Sequence, residues 1–207
     1  MLRNLRPVVA STLDPVGRAL ARVGLTPNAV TVLGSVGVLT SALVLYPRGE
    51  LLLGTLLVTF FTLFDMLDGA VARARTRDNE FGAFLDSFMD RLSDAGILCG
   101  LLLWFIGGGN SPVLTLVTLF CLVAGFGVSY VKARAEGLGV RCDVGIAERT
   151  ERLVIVLTAA GLEGMGVPYA LPTGLWLLAL LSVVTIGQRL LETHNRLGGA
   201  ERRPTSH

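Results

Sequence analysis

Apolar stretches approaching 20 residues recur along this chain, separated by short polar breaks, and that recurrence restricts it to one kind of fold. Inside a hydrocarbon layer every backbone N–H and C=O must be satisfied within the protein, so a stretch of this length crosses as a helix. Charge is scarce to match. Only 16% of the 207 residues are charged, where soluble domains carry about 25%, and the mean hydropathy is +0.63.

The runs place six spans, at about 26–46, 51–74, 81–106, 113–135, 146–162 and 173–193. Residues 1–24 are too polar to span. Val9, Leu13, Val16, Leu20 and Val23 recur there at steps of four and three, the pattern of an amphipathic helix. Such a helix suits either the membrane surface or the protein's own cytoplasmic face. The expected organisation is an N-terminal amphipathic juxtamembrane segment (1–24), a six-helix domain (25–195) and a polar C-terminal tail (196–207). The fold class is an all-α membrane protein with six transmembrane helices.

Basic residues orient it. The N-terminal segment, the 75–80 linker, the loop 136–145 with its flanks, and the tail hold most of the 18 Lys and Arg residues; the turn after the first span holds only Arg48, and the turns after the third and fifth spans hold none. By the positive-inside rule both termini are cytoplasmic, in a multi-pass protein of the cell membrane. The opening residues show no apolar region followed by a cleavage site, so no cleaved signal peptide is expected. Cys99, Cys121 and Cys142 lack metal-binding spacing and read as small packing residues. The expected partner is the lipid bilayer, not nucleic acid.

Four aspartates break the apolar pattern: Asp65 and Asp68 at the end of the second span, Asp86 and Asp90 at the start of the third. Carboxylates in such a setting are expensive and mark functional sites. Spacings of three and four put each pair on one helix face, and antiparallel neighbours joined by a short linker bring the two faces together. So many negative charges cannot all stay ionised unaided. Divalent cations resolve the conflict, and hard oxygen ligands without His or Cys favour Mg²⁺ or Mn²⁺ over zinc. Gly69 and Gly82 leave room for close approach, and Arg73 stands one turn beyond Gly69, placed to meet a phosphate. The alternative is solvated helix-end charges paired with Arg75, Arg77 and Arg91. It fits any one aspartate but not all four, because carboxylates outnumber cations within the spans. Asp94 continues the Asp86–Asp90 face as a deeper supporting group or a helix-packing residue.

The string Asp65-x2-Asp68-Gly69-x2-Ala72-Arg73-x8-Gly82-x3-Asp86-x3-Asp90 resembles the signature of the CDP-alcohol phosphotransferases at all eight positions. At roughly 7% per position a chance match at a given start is on the order of 10⁻⁹. The resemblance implies transfer of a phosphatidyl group from CDP-diacylglycerol to an alcohol, with release of CMP. It implies that Asp65, Asp68 and Asp86 are metal ligands, and that Asp90 both contacts metal and deprotonates the acceptor. It further implies CDP-lipid contacts at Asp68, Gly69, Ala72, Arg73 and Gly82, at Asn28, Ala29, Val30 and Thr31, and at Asn79. For Asn28 and Thr31, helix capping after Thr26-Pro27 is an equal alternative. Homodimerisation is implied too.

The signature does not choose the acceptor. Lys132, Arg134, Arg141, Arg149, Arg152 and Arg189 form a second basic cluster, whose charge suits an acceptor bearing its own phosphate. Positive-inside bias accounts for part of it. The segment from Tyr130 to Arg152, with Gln188-Arg189, resembles the actinobacterial phosphatidylinositol phosphate synthases, whose acceptor is inositol phosphate. Lys132, Arg152 and Arg189 are then the expected acceptor-phosphate contacts. The rival acceptor is glycerol 3-phosphate, as in phosphatidylglycerophosphate synthase. The rival class is an ion-coupled transporter, disfavoured by the absence of an internal repeat. Gly96-x3-Gly100 packs helices either within one chain or between two.

Overall fold

A computed structural model describes residues 24–65, 67 and 80–201 of the chain, with side chains through 197. The N-terminal segment, most of the linker region and the end of the tail lie outside the described residues. Those described form only helices and turns: α1 (Pro27–Leu45), α2 (Leu51–Asp65), α3 (Glu80–Ile106), α4 (Pro112–Gly137), α5 (Arg149–Gly164) and α6 (Ala170–Glu201), with a short 3₁₀ turn at Tyr46–Arg48. The chain divides into two compact units, 1–100 and 101–207.

In the first unit, α1 begins where Thr26 takes an extended conformation and its Oγ1 accepts a hydrogen bond from the Ala29 N–H at 3.2 Å. Pro27 follows at the first helical position, where its missing N–H costs nothing. The turn after α1 closes through Gly49 at φ 80°. There the Tyr46 ring packs against Gly54 of α2, and its hydroxyl shares a buried 3.1 Å hydrogen bond with Thr55 Oγ1. A polar tip satisfied at the end of an apolar hairpin locks α1 and α2 together.

Helix α3 approaches α1 through the small residues singled out above. A Cβ placed on Gly100 would stand 2.3 Å from the Ala42 carbonyl oxygen, and one on Gly96 would stand 2.4 Å from Leu39 Cδ2. The pattern therefore packs two helices of the same chain.

In the second unit, Ser111 Oγ accepts from the Leu114 N–H at the start of α4, with Pro112 at the first helical position. Helix α6 packs against both α4 and α5. Its first turn is tied to α5 by Glu163, whose Oε2 accepts from the Leu171 N–H at 2.9 Å. Val117, Cys121, Ala124 and Val128 form the buried stripe of α4 at helical spacing, and Leu171, Leu175, Leu178 and Ala179 form that of α6. All three cysteines are free thiols.

Three boundaries differ from the sequence expectation. Helix α6 starts at Ala170, not 173, because Pro172 is tolerated in a first turn. It also runs on past 193 without a break, to Glu201. Helix α5 starts at Arg149, not 146, because residues 142–147 run as an irregular strap bound to α6. The Ile146 N–H donates to Gln188 Oε1 at 3.2 Å and the Ala147 N–H donates to Thr185 Oγ1 at 3.1 Å.

Among the described residues, three helices are long and apolar enough to cross a membrane: Pro27–Arg48, Pro112–Gly137 and Ala170–Leu197. The other three expected spans do not meet both criteria among the described residues, for separate reasons. Helix α2 is apolar but has 15 described residues. Helix α3 has length but carries Asp86, Asp90, Arg91 and Asp94. Helix α5 has 16 residues and opens on Arg149, Glu151 and Arg152.

Candidate active site

Asp86 and Asp90 stand four residues apart on α3, so their carboxylates share a face. Asp65 ends the described part of α2, and the packing of α2 on α1 sets its position. One oxygen from each of Asp65, Asp86 and Asp90 lies within 4.8 Å of the others, and all three residues are half-buried. This is the acidic group among the described residues that fits a metal ion, and Asp94 is not part of it.

The donor set fits a hard divalent cation. Oxygens sharing one ion at bonds of about 2.1 Å stand roughly 3–4 Å apart, so oxygens that already lie within 4.8 Å of one another need at most a small closure. The group contains no sulfur or imidazole nitrogen to favour a softer metal. Arg91 sits beside it. Its Nη1 is 3.3 Å from Asp90 Oδ2 and also donates to the Ser87 carbonyl at 2.9 Å. The guanidinium is thereby held against α3, next to the carboxylate expected to act as base.

Asp68, Gly69, Ala72, Arg73 and Asn79 lie outside the described residues. Gly82 stands one turn before Asp86 on α3, half-buried. In the first turn of α1 the capping role falls to Thr26, not Asn28. Thr31 is buried and its Oγ1 donates to the Pro27 carbonyl at 3.2 Å. Val30 is fully buried in a cluster with Leu67, flanked by Leu25 and Phe64. The side chains of this strip divide between core (Val30, Thr31) and partly exposed surface (Asn28, Ala29).

The three acceptor cations sit on three different helices. Lys132, on α4, is partly exposed and lies 3.8 Å from Glu136 Oε1 and 3.7 Å from Asp143 Oδ1. Arg152, in the first turn of α5, is buried. Arg189, on α6, is only 3% exposed. Its Nε donates to the Val144 carbonyl at 2.9 Å and its Nη1 to the Val128 carbonyl at 2.6 Å. One guanidinium thus ties α6 to both the strap and α4, a structural duty the sequence did not disclose. Gly145 makes room for it: with φ at 142°, a Cβ there would stand 2.7 Å from Thr185 Cγ2 and 3.5 Å from Arg189 Nη2. Arg134 and Arg141 are exposed.

Clustered carboxylates on the helices of an apolar chain fit a divalent-cation site, and the comparisons supply the class. Residues 24–188 match the CDP-alcohol phosphatidyltransferase model, and the chain belongs to that family. It is 50% identical over 188 residues to the phosphatidylinositol phosphate synthase of Mycobacterium marinum, covering 89% of this chain and 80% of that one. Crystal structures of the Mycobacterium tuberculosis phosphatidylinositol phosphate synthase superpose with a TM-score of 0.85 at 49% identity. The one with CDP-DAG bound covers 87% of this chain and 92% of its own. The complex with manganese and citrate covers 87% and 88%.

Proposed function

We propose that this chain is a phosphatidylinositol phosphate synthase, an enzyme that transfers the phosphatidyl group of CDP-diacylglycerol to inositol phosphate and releases CMP. The observation that carries the reading is the meeting of Asp65, Asp86 and Asp90 within 4.8 Å, in a chain that matches the family over 24–188. The acceptor is supported by the names of the relatives, which run from 40% to 50% identity.

Asp65, Asp68, Asp86 and Asp90 would hold the divalent metal, with Mg²⁺ the working ion and Mn²⁺ able to replace it. When bound, such an ion neutralises pyrophosphate charge and stabilises the leaving phosphate. The chain's own groups do the rest. Asp90 accepts the proton of the acceptor hydroxyl. The hydroxyl oxygen bonds to the phosphatidyl phosphorus as the bond from that phosphorus to the CMP oxygen breaks, and CMP departs with the electron pair. Gly69, Ala72, Arg73, Asn79, Gly82 and the strip Asn28 to Thr31 hold the CDP-lipid. Lys132, Arg152 and Arg189 receive the acceptor's phosphate.

The reading includes six spans with both termini cytoplasmic, the site opening to the cytoplasm, and a homodimer. Its domains are a juxtamembrane segment (1–24), a catalytic domain (25–195) and a tail (196–207). The positions of the basic residues support the orientation.

The test is CMP release by purified protein given CDP-diacylglycerol, Mg²⁺ and either inositol phosphate or glycerol 3-phosphate. Release with inositol phosphate is expected, and Asp90→Asn should abolish it while CDP-lipid still binds. Release with glycerol 3-phosphate alone would transfer the assignment to phosphatidylglycerophosphate synthase. No release with either, from folded protein, would remove the enzyme reading.

A further inference from the structure

Asp65 reaches the acidic cluster from the end of α2, and what it rests on is a glycine. An ideal Cβ on Gly34 of α1 would lie 2.9 Å from Asp65 Cβ, 3.1 Å from Asp65 Cα and 3.2 Å from Asp65 N. Carbon atoms in comfortable contact stand about 3.5–4.0 Å apart. The obstructed atoms are backbone and Cβ, so no flexible side-chain tip can swing away. We propose that Gly34 is a positioning residue for the carboxylate cluster: by having no side chain, it sets how closely the Asp65 end of α2 approaches α1, and so the affinity for a divalent cation. The inference rests on the divalent site proposed above.

A methyl group at position 34 would have to drive the Asp65 backbone back by roughly 0.5–1 Å to restore ordinary contact. Ligand distances in a working metal site hold to about 0.2 Å. The displacement exceeds that tolerance and adds to any closure the cluster needs, and it falls on Asp65 alone while Asp86 and Asp90 stay on α3. Gly54 provides the comparison. It lies on α2, the helix that carries Asp65, but at the opposite end, where a Cβ would meet the Tyr46 ring at 2.8 Å.

The experiment is a Mn²⁺ titration of the purified chain, followed by the electron paramagnetic resonance signal of free Mn²⁺, with thermal melting alongside. Gly34→Ala should weaken Mn²⁺ binding by about tenfold or more, the range seen when groups that orient metal ligands are altered. Gly54→Ala should lower the melting temperature and leave the Mn²⁺ affinity near wild type. In an Asp65→Asn background, Gly34→Ala should add no further loss, because its effect passes through Asp65. Wild-type Mn²⁺ affinity in folded Gly34→Ala would overturn the proposal. So would failure of Gly34→Ala to fold while Gly54→Ala folds, since the contact would then serve packing alone. Absence of Mn²⁺ binding by the wild type would instead remove the metal site itself.

Discussion

Arg189→Lys separates charge from geometry at a buried cation of the second unit. Arg189 is 3% exposed and bridges the Val144 and Val128 carbonyls at 2.9 and 2.6 Å. Lysine keeps the positive charge but has a single ammonium in place of the planar fork. It can satisfy one of the two carbonyls. The lost bond is charge-assisted, a class worth about 1.5–3 kcal/mol. A central figure of about 2 kcal/mol corresponds to a melting temperature lower by about 4–8 °C in a domain of this size. The measurement is a fluorescence melt of purified protein, paired with the KM for the phosphorylated acceptor. A protein serving only as a point charge there would melt like the wild type and keep its KM. That result would refute the bridging role, whereas a lowered melt with a raised acceptor KM would assign both duties to one fork.

Four further outcomes test the packing and the acceptor reading. Gly100→Ala should lower stability by about 1–3 kcal/mol, the usual cost of overpacking, because its methyl would meet the Ala42 carbonyl oxygen at 2.3 Å. Gly125→Ala in α4 has nothing within 4 Å and should be neutral or stabilising by up to about 1 kcal/mol through helix propensity; thermal melts of the two variants compare them directly. Tyr46→Phe removes the buried bond to Thr55 and should cost about 1 kcal/mol, read as a small drop in melting temperature. Lys132→Ala should raise the acceptor KM more than the CDP-lipid KM without lowering the melt, since its pairs with Glu136 and Asp143 are partly exposed and such pairs contribute little. An equal change in both KM values would deny Lys132 its acceptor role.

The part of the site legible in the sequence was the part carried by local periodicity. Asp86 and Asp90 share a face because four residues make one helical turn, wherever α3 lies. Thr26-Pro27 announces the start of α1, and Ser111-Pro112 that of α4, because capping is chemistry between neighbours in sequence. Arg189 was legible as a cation but not as a clamp, because its two carbonyl partners lie 45 and 61 residues away. The late start of α5 was hidden for the same reason, since Gln188 and Thr185 hold residues 146 and 147 from a distant helix.

By itself the sequence determined that the chain is helical and apolar, and that carboxylates gather where an apolar environment penalises them most. Those are consequences of hydrogen-bond satisfaction and charge desolvation, which composition and spacing express directly. Only the tertiary structure decided which carboxylates meet and how closely. Asp65 stands within 4.8 Å of Asp86 and Asp90 where α2 rests on the bare backbone of Gly34. That distance depends on the absence of a side chain 31 positions earlier in the chain, and no periodicity records it.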